Sequence, residues 1–155
     1  MPRRSRILVV DDDRDIIYCM RVYLQQKGYK VDVFEQPELA LKNFSAGKYD
    51  IVIADIKMSK ISGFEFARQV DSIDKSLKII LMTAFQVEKE EFEKVMPSTR
   101  VGAFIKKPIG MTKLMDHIIT LSRDRSAIDH SIASIGMSVA ISLVSASFEA
   151  ASILL

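Results

Sequence analysis

The stretch RILVVDDDRDIIYCMRVYLQQKG, residues 6–28, changes its period halfway along. Arg6–Val10 is a short apolar run of the kind that becomes a strand buried on both faces. Ile16, Ile17, Met20 and Leu24 then recur at helical spacing, and Gly28 stops the helix. Between the two periods stand Asp11, Asp12 and Asp13, with Asp15 close behind. Like charges repel and their burial is costly, so a strand that runs into three carboxylates calls for a compensating charge.

Outward from this junction the same strand-then-helix unit recurs. YKVDVF (29–34) leads into PELALKNFSAG (37–47), with Pro37 in the first helical turn and Gly47 at the end. YDIVIAD (49–55) leads into GFEFARQVDSI (63–73), and LKIILMTA (77–84) into VEKEEFEKVM (87–96). GAFIKK (102–107) leads into GMTKLMDHIITLSR (110–123). Five such alternations predict an α/β fold, a doubly wound parallel sheet with helices on both faces, because right-handed crossovers allow little else. In such sheets ligands bind outside the carboxyl ends of the strands.

Those ends carry complementary chemistry. Asp11, Asp12 and Asp13 end the first strand, Asp55 the third, Thr83 and Ala84 the fourth, and Lys107 with Pro108 the fifth. Each has an ordinary reading: Asp13 caps the following helix, Asp55 is a solvated loop acid, Thr83 a strand-end hydroxyl, Lys107 a surface lysine. Their joint placement at one end of an alternating fold argues otherwise. Converging carboxylates require a cation, and hard oxygen donors suit Mg²⁺, which shares its shell with phosphate and water.

From Arg6 to about Arg123 the chain resembles the receiver domain of two-component response regulators, with ILVVDDD, IVIADIKMSKISG, LMTA and KKP in the family's order and spacing. The resemblance implies a flavodoxin-like (βα)5 three-layer fold with a five-stranded parallel sheet. It implies that Asp55, eight residues before Gly63, is the phosphoacceptor. It also implies that Asp12, Asp55 and the backbone carbonyl of Lys57 ligate Mg²⁺ directly, and that Asp11 acts through water. Thr83 and Lys107 then hold phosphoryl oxygens, and Thr83 with Phe104 forms the switch; Phe104 as plain core filler is the rival reading. The implied donor is a sensor histidine kinase or phosphotransfer protein, and the implied output is a change in protein contacts with a downstream partner. The sequence departs from the family at Ser59, where a proline is usual, and in MPSTRVG (96–102) before the fifth strand.

Length and composition set the remaining expectations. A chain of 155 residues suits one main domain, here 1–125, followed by an apolar Ser/Ala-rich segment, 126–155. All 22 Lys and Arg lie at or before Arg125, and 131–148 holds no charge. A helix docked on the receiver or on a second copy, a membrane association and a mobile tail are the readings of that segment. A homodimer through the tail or the last two secondary elements belongs with the first of these. With Cys19 as the one cysteine and no secretory pattern in MPRRSR, the expected location is cytoplasmic. The formal net charge of +2, with no stripe of basic and aromatic residues, argues against direct nucleic-acid binding.

The sequence thus reads as a stand-alone receiver that catalyses only its own phosphotransfer and dephosphorylation. Two rivals stay in view. One is a phosphorylation-independent interaction module on the same fold. The other is a phosphate-ester hydrolase, for which Lys57 stands where a second acid would be expected.

Overall fold

The computed structural model describes residues 4–85, 92–94 and 96–135 of the chain. Five strands, β1 (Arg6–Val10), β2 (Lys30–Phe34), β3 (Ile51–Asp55), β4 (Lys78–Thr83) and β5 (Ala103–Lys106), form one parallel sheet in the order β2-β1-β3-β4-β5. The helices α1 (Arg14–Gln26), α2 (Pro37–Lys42), α3 (Gly63–Ile73) and α4 (Met111–Ile135) alternate with them. This is the doubly wound, flavodoxin-like arrangement, and its strand order reverses between β1 and β3.

Every residue of β3 is buried, as a central strand of a parallel sheet requires. Side chains alternate across the pleat. Leu8, Val10, Val52, Ala54, Ile79 and Leu81 form one core with Phe66, Ala67 and Val70 of α3 and with Ala40 and Phe44. Ile7, Val9, Ile51, Ile53 and Met82 are equally buried on the other side, where α1 packs on β1 and β2 and buries Ile17, Met20 and Leu24.

Helix starts follow local chemistry. The Asp13 carboxylate accepts the amide protons of Asp15 and Ile16 and caps α1 as expected, and the Ser62 hydroxyl caps α3 by accepting the Glu65 N–H. α2 is shorter than the run to Gly47 predicts. The Asn43 amide donates to the Leu39 carbonyl at 2.8 Å, closing the helix at Lys42 before Gly47 turns the chain at φ +76°. Residues 92–94 are helical where VEKEEFEKVM predicts a helix; the rest of that stretch, except Met96, lies outside the described residues.

α4 runs on to Ile135, well past the expected end at Arg123 and through the compositional break near 125. The chain divides into two compact units, 1–117 and 118–155, and the described part of the second is the continuation of this helix. Residues 136–155, and with them most of the tail readings, lie outside the described residues. Among the described residues no helix is long and apolar enough to cross a membrane.

Candidate functional site

Parallel pairing brings Asp11, Asp12 and Asp55 to the switch point between β1 and β3. Carboxylate oxygens of the three lie within 4.8 Å of one another. Asp11 is fully buried, Asp55 is 6% exposed, and Asp12 is open to solvent. The two neighbours at the end of β1 therefore differ in role. Both oxygens of Asp11 are engaged by the protein: Oδ1 accepts the Asp13 N–H at 2.9 Å and Oδ2 accepts Lys107 Nζ at 2.7 Å. Asp12, in the same cluster, is exposed.

Lys107 arrives from the far edge of the sheet. Its ammonium is 2.7 Å from Asp11 Oδ2 and 3.3 Å from Asp55 Oδ1, so one cation bridges the ends of β1 and β3. Its backbone is held by an N–H bond to the Thr83 carbonyl at 2.7 Å. Burial pushes the Asp55 pKa above the ordinary value, Asp11 and to a smaller extent Asp12 push the same way, and Lys107 opposes them. Desolvation pulls Lys107 down, but the hydrogen bond and charge of Asp11, joined by Asp55, leave its pKa above the ordinary value. Three carboxylates around one ammonium leave an excess of negative charge, the condition under which a hard divalent cation binds.

The loop after β3 is tightly built. A Cβ on Gly63 would lie 2.2 Å from the Asp55 carbonyl oxygen and 2.7 Å from the Ile56 Cα. Gly63 also donates its N–H to the Ile56 carbonyl at 2.9 Å, so only glycine lets α3 start this close to the end of β3. Lys57 lies exposed in this loop, and Lys60 adopts a left-handed φ of 68°.

Thr83 is buried at the end of β4, beside the strand that carries Asp55, and its Oγ1 accepts the Phe85 N–H at 3.0 Å. An oxygen that accepts from its own loop keeps its proton free to donate elsewhere. Phe104 on β5 lies on the side of the α3 core, partly buried, with its ring 5.0 Å from Phe92 in an edge contact; Phe92 in turn stacks on Phe64 at 5.4 Å. Phe104 is thus part of a three-ring ladder rather than of the carboxylate cluster. An apolar hollow of about 250 Å³ opens beside Lys107, lined by Ile16, Cys19, Pro108, Ile109 and Met111.

Of the residues singled out from the sequence, Asp11, Asp12, Asp55 and Lys107 come together as one cluster, with Thr83 on the neighbouring strand end. The Asp13 backbone amide and the Gly63 close approach were not read as parts of the site. Both act through backbone atoms, which leave no side-chain signature beyond the presence of glycine.

Comparison with known proteins agrees with this geometry. The response regulator receiver domain family model matches residues 7–119. The chain is 32% identical over 125 residues to the transcriptional regulatory protein RprY of Bacteroides fragilis, covering 79% of this chain and 51% of that one. It is 33% identical over 106 residues to the alkaline phosphatase synthesis transcriptional regulatory protein PhoP of Bacillus subtilis, covering 67% and 42%. The chain spans about half the length of the curated relatives it matches. Among solved structures, the response regulator TrrA of Thermotoga maritima in complex with Mg²⁺-BeF is 36% identical, with a TM-score of 0.65 over 76% of this chain and 98% of that one. TrrA in complex with the histidine kinase ThkA matches with a TM-score of 0.64, at the same identity, over 76% and 97%.

Proposed function

This chain belongs to the response regulator receiver family, whose members are phosphoacceptors in two-component signalling, and from that premise we propose that Asp55 is the residue that is phosphorylated. The observation that carries the proposal is the Lys107 ammonium held between Asp11 and Asp55 beside the open carboxylate of Asp12. Asp11, Asp12, Asp55 and the Lys57 carbonyl form the donor set for Mg²⁺. Asp11, with both oxygens already engaged, reaches the ion through water. When bound, Mg²⁺ offsets the negative charge that would otherwise repel a phosphoryl donor.

In the reaction an Asp55 oxygen attacks the phosphorus of a phosphohistidine on a sensor kinase or phosphotransfer protein. The new P–O bond forms as the P–N bond breaks, and the electron pair of that bond leaves with the imidazole. Lys107 stays close to the phosphoryl oxygens as a point charge, and the Thr83 hydroxyl donates to one of them. The apolar hollow beside Lys107 receives the donor protein. Hydrolysis of the acyl phosphate by water returns Asp55, so the only reactions catalysed are the protein's own.

The output follows from the Thr83 movement. Drawing its hydroxyl toward the phosphoryl group pulls on the Phe85 amide, and the change passes to Phe104 and the surface around β5, where a downstream protein or a second copy is bound.

The 155-residue chain incubated with Mg²⁺ and acetyl phosphate is expected to gain a single phosphoryl adduct by intact mass. Asp55→Asn is expected to gain none, and chelation of Mg²⁺ to abolish the adduct. An adduct that survives Asp55→Asn sinks the assignment, no adduct with any donor favours a phosphorylation-independent interaction module, and turnover of unrelated phosphate esters favours a hydrolase.

A further inference from the structure

The amino ends of the strands form a second charged edge, opposite in sign to the first. Each of the first four strands in the chain enters the sheet just behind or on a cation: Arg4 and Arg6 at β1, Lys27 and Lys30 at β2, Lys48 before β3, Lys78 at β4. These residues are scattered along the sequence, and the parallel register lines them up. Arg6 pairs with Lys30, the Asp50 N–H donates to the Arg6 carbonyl, and the Lys78 N–H donates to the Asp50 carbonyl. Lys30, Arg6 and Lys78 thus follow one another along a rim of roughly 14 Å, three strand spacings wide.

The acids at this end are engaged within the protein. Asp71 is buried under Lys75, Asp74 is buried and holds the Gly47 and Ser76 amides, and Asp50 accepts the Arg6 backbone N–H. Arg4, Lys27 and Lys30 are exposed. The outward-facing charge of the rim is therefore positive.

We infer that this rim docks on an anionic lipid surface. Two features favour a diffuse planar anion over a nucleic acid. Most of the cations are lysines, point charges on flexible stems rather than guanidinium forks. The Tyr49 ring is buried, with Arg6 and Lys48 laid against it, and offers no face on which a base could stack.

The test is co-sedimentation of the 155-residue chain with phosphatidylcholine vesicles with and without phosphatidylserine, in dilute buffer and with added salt. Binding is expected only with phosphatidylserine and is expected to fall with salt. The exposed triple change Arg4→Gln, Lys27→Gln, Lys30→Gln is expected to weaken it about fivefold per cation, roughly a hundredfold together. A control triple of equally exposed cations elsewhere, Arg21→Gln, Lys94→Gln, Lys113→Gln, is expected to bind nearly as wild type, with thermal melts verifying that both variants fold. Equal loss in the two triples, salt-insensitive binding or no sedimentation overturns the proposal. Tighter retention on duplex DNA or on polyglutamate than on the vesicles overturns it in favour of a nucleic acid or an acidic protein.

Discussion

Asp71 and Asp74, at the end of α3, are about as buried as Asp11 and Asp55 at the mouth of the sheet, yet the two pairs stand in opposite circumstances. Asp74 is satisfied locally: Oδ2 accepts the Gly47 N–H, and Oδ1 accepts both the Ser76 N–H and its hydroxyl. Asp71 takes Lys75 at 2.8 Å through Oδ2, and Arg100, which also donates to the Lys75 carbonyl, lies 4.0 Å from its other oxygen. Asp11 and Asp55 instead share a single ammonium, with the Asp12 carboxylate clustered beside them. Burial of a carboxylate does not by itself mark a site. What marks it is charge pooled beyond what the protein's own partners neutralise, and a way in for something that completes the balance.

The contrast can be broken from the structural side first. Asp74→Ala takes the acceptor from the Gly47 and Ser76 amides and the Ser76 hydroxyl, and is expected to cost about 2 kcal/mol in urea unfolding. Phosphorylation of the surviving folded fraction is expected to be intact. A loss much under 1 kcal/mol would mean that the loops around Gly47 and Ser76 are held by other contacts.

Metal sharpens the contrast next. Mg²⁺ at about ten times its Kd is expected to stabilise the wild-type protein by about 1.4 kcal/mol. Asp74→Ala should keep that increment, starting from its lower baseline, and Asp12→Ala should lose it. An increment that persists in Asp12→Ala would place the ion elsewhere.

The smallest effect is the pH dependence without metal. Burial and Asp11 raise the Asp55 pKa above its ordinary 3.8, so the proton is held more tightly in the folded chain than in the unfolded one. Below the ordinary value the protonated group carries its full share of stability, and that share is lost as pH rises through the folded value. Asp55→Asn removes this titration. Its stability relative to wild type is expected to be unchanged in acid and to climb as pH rises through the window above 3.8, read by urea unfolding in chelator. A flat difference would show that Lys107 alone balances the cluster.

Much of the fold is legible residue by residue. Runs such as ILVV and IVIA admit little but buried strands, and GFEFARQVDSI coincides with α3 because Ser62 supplies a cap just before it. The misjudged ends have local causes. α2 stops early because Asn43 bonds back to Leu39, a competition between side chain and backbone that periodicity does not register. α4 outlasts its charged pattern because no glycine or proline intervenes before Gly136, and a loss of amphipathic rhythm does not break a helix.

The sequence by itself determined which residue ends each strand. Since all five strands run parallel, it thereby determined that Asp11, Asp12, Asp55, Thr83 and Lys107 share one end of the sheet. Only the tertiary structure decided how they divide the work. The strand order set β1 beside β3, and Lys107 reached Asp11 across 96 residues of sequence. Burial then separated Asp11 from Asp12, adjacent and chemically identical, into an engaged carboxylate and an open one. Strand ends are read from a local period, whereas the charge balance of a site depends on which distant groups the folded chain places within a few ångströms.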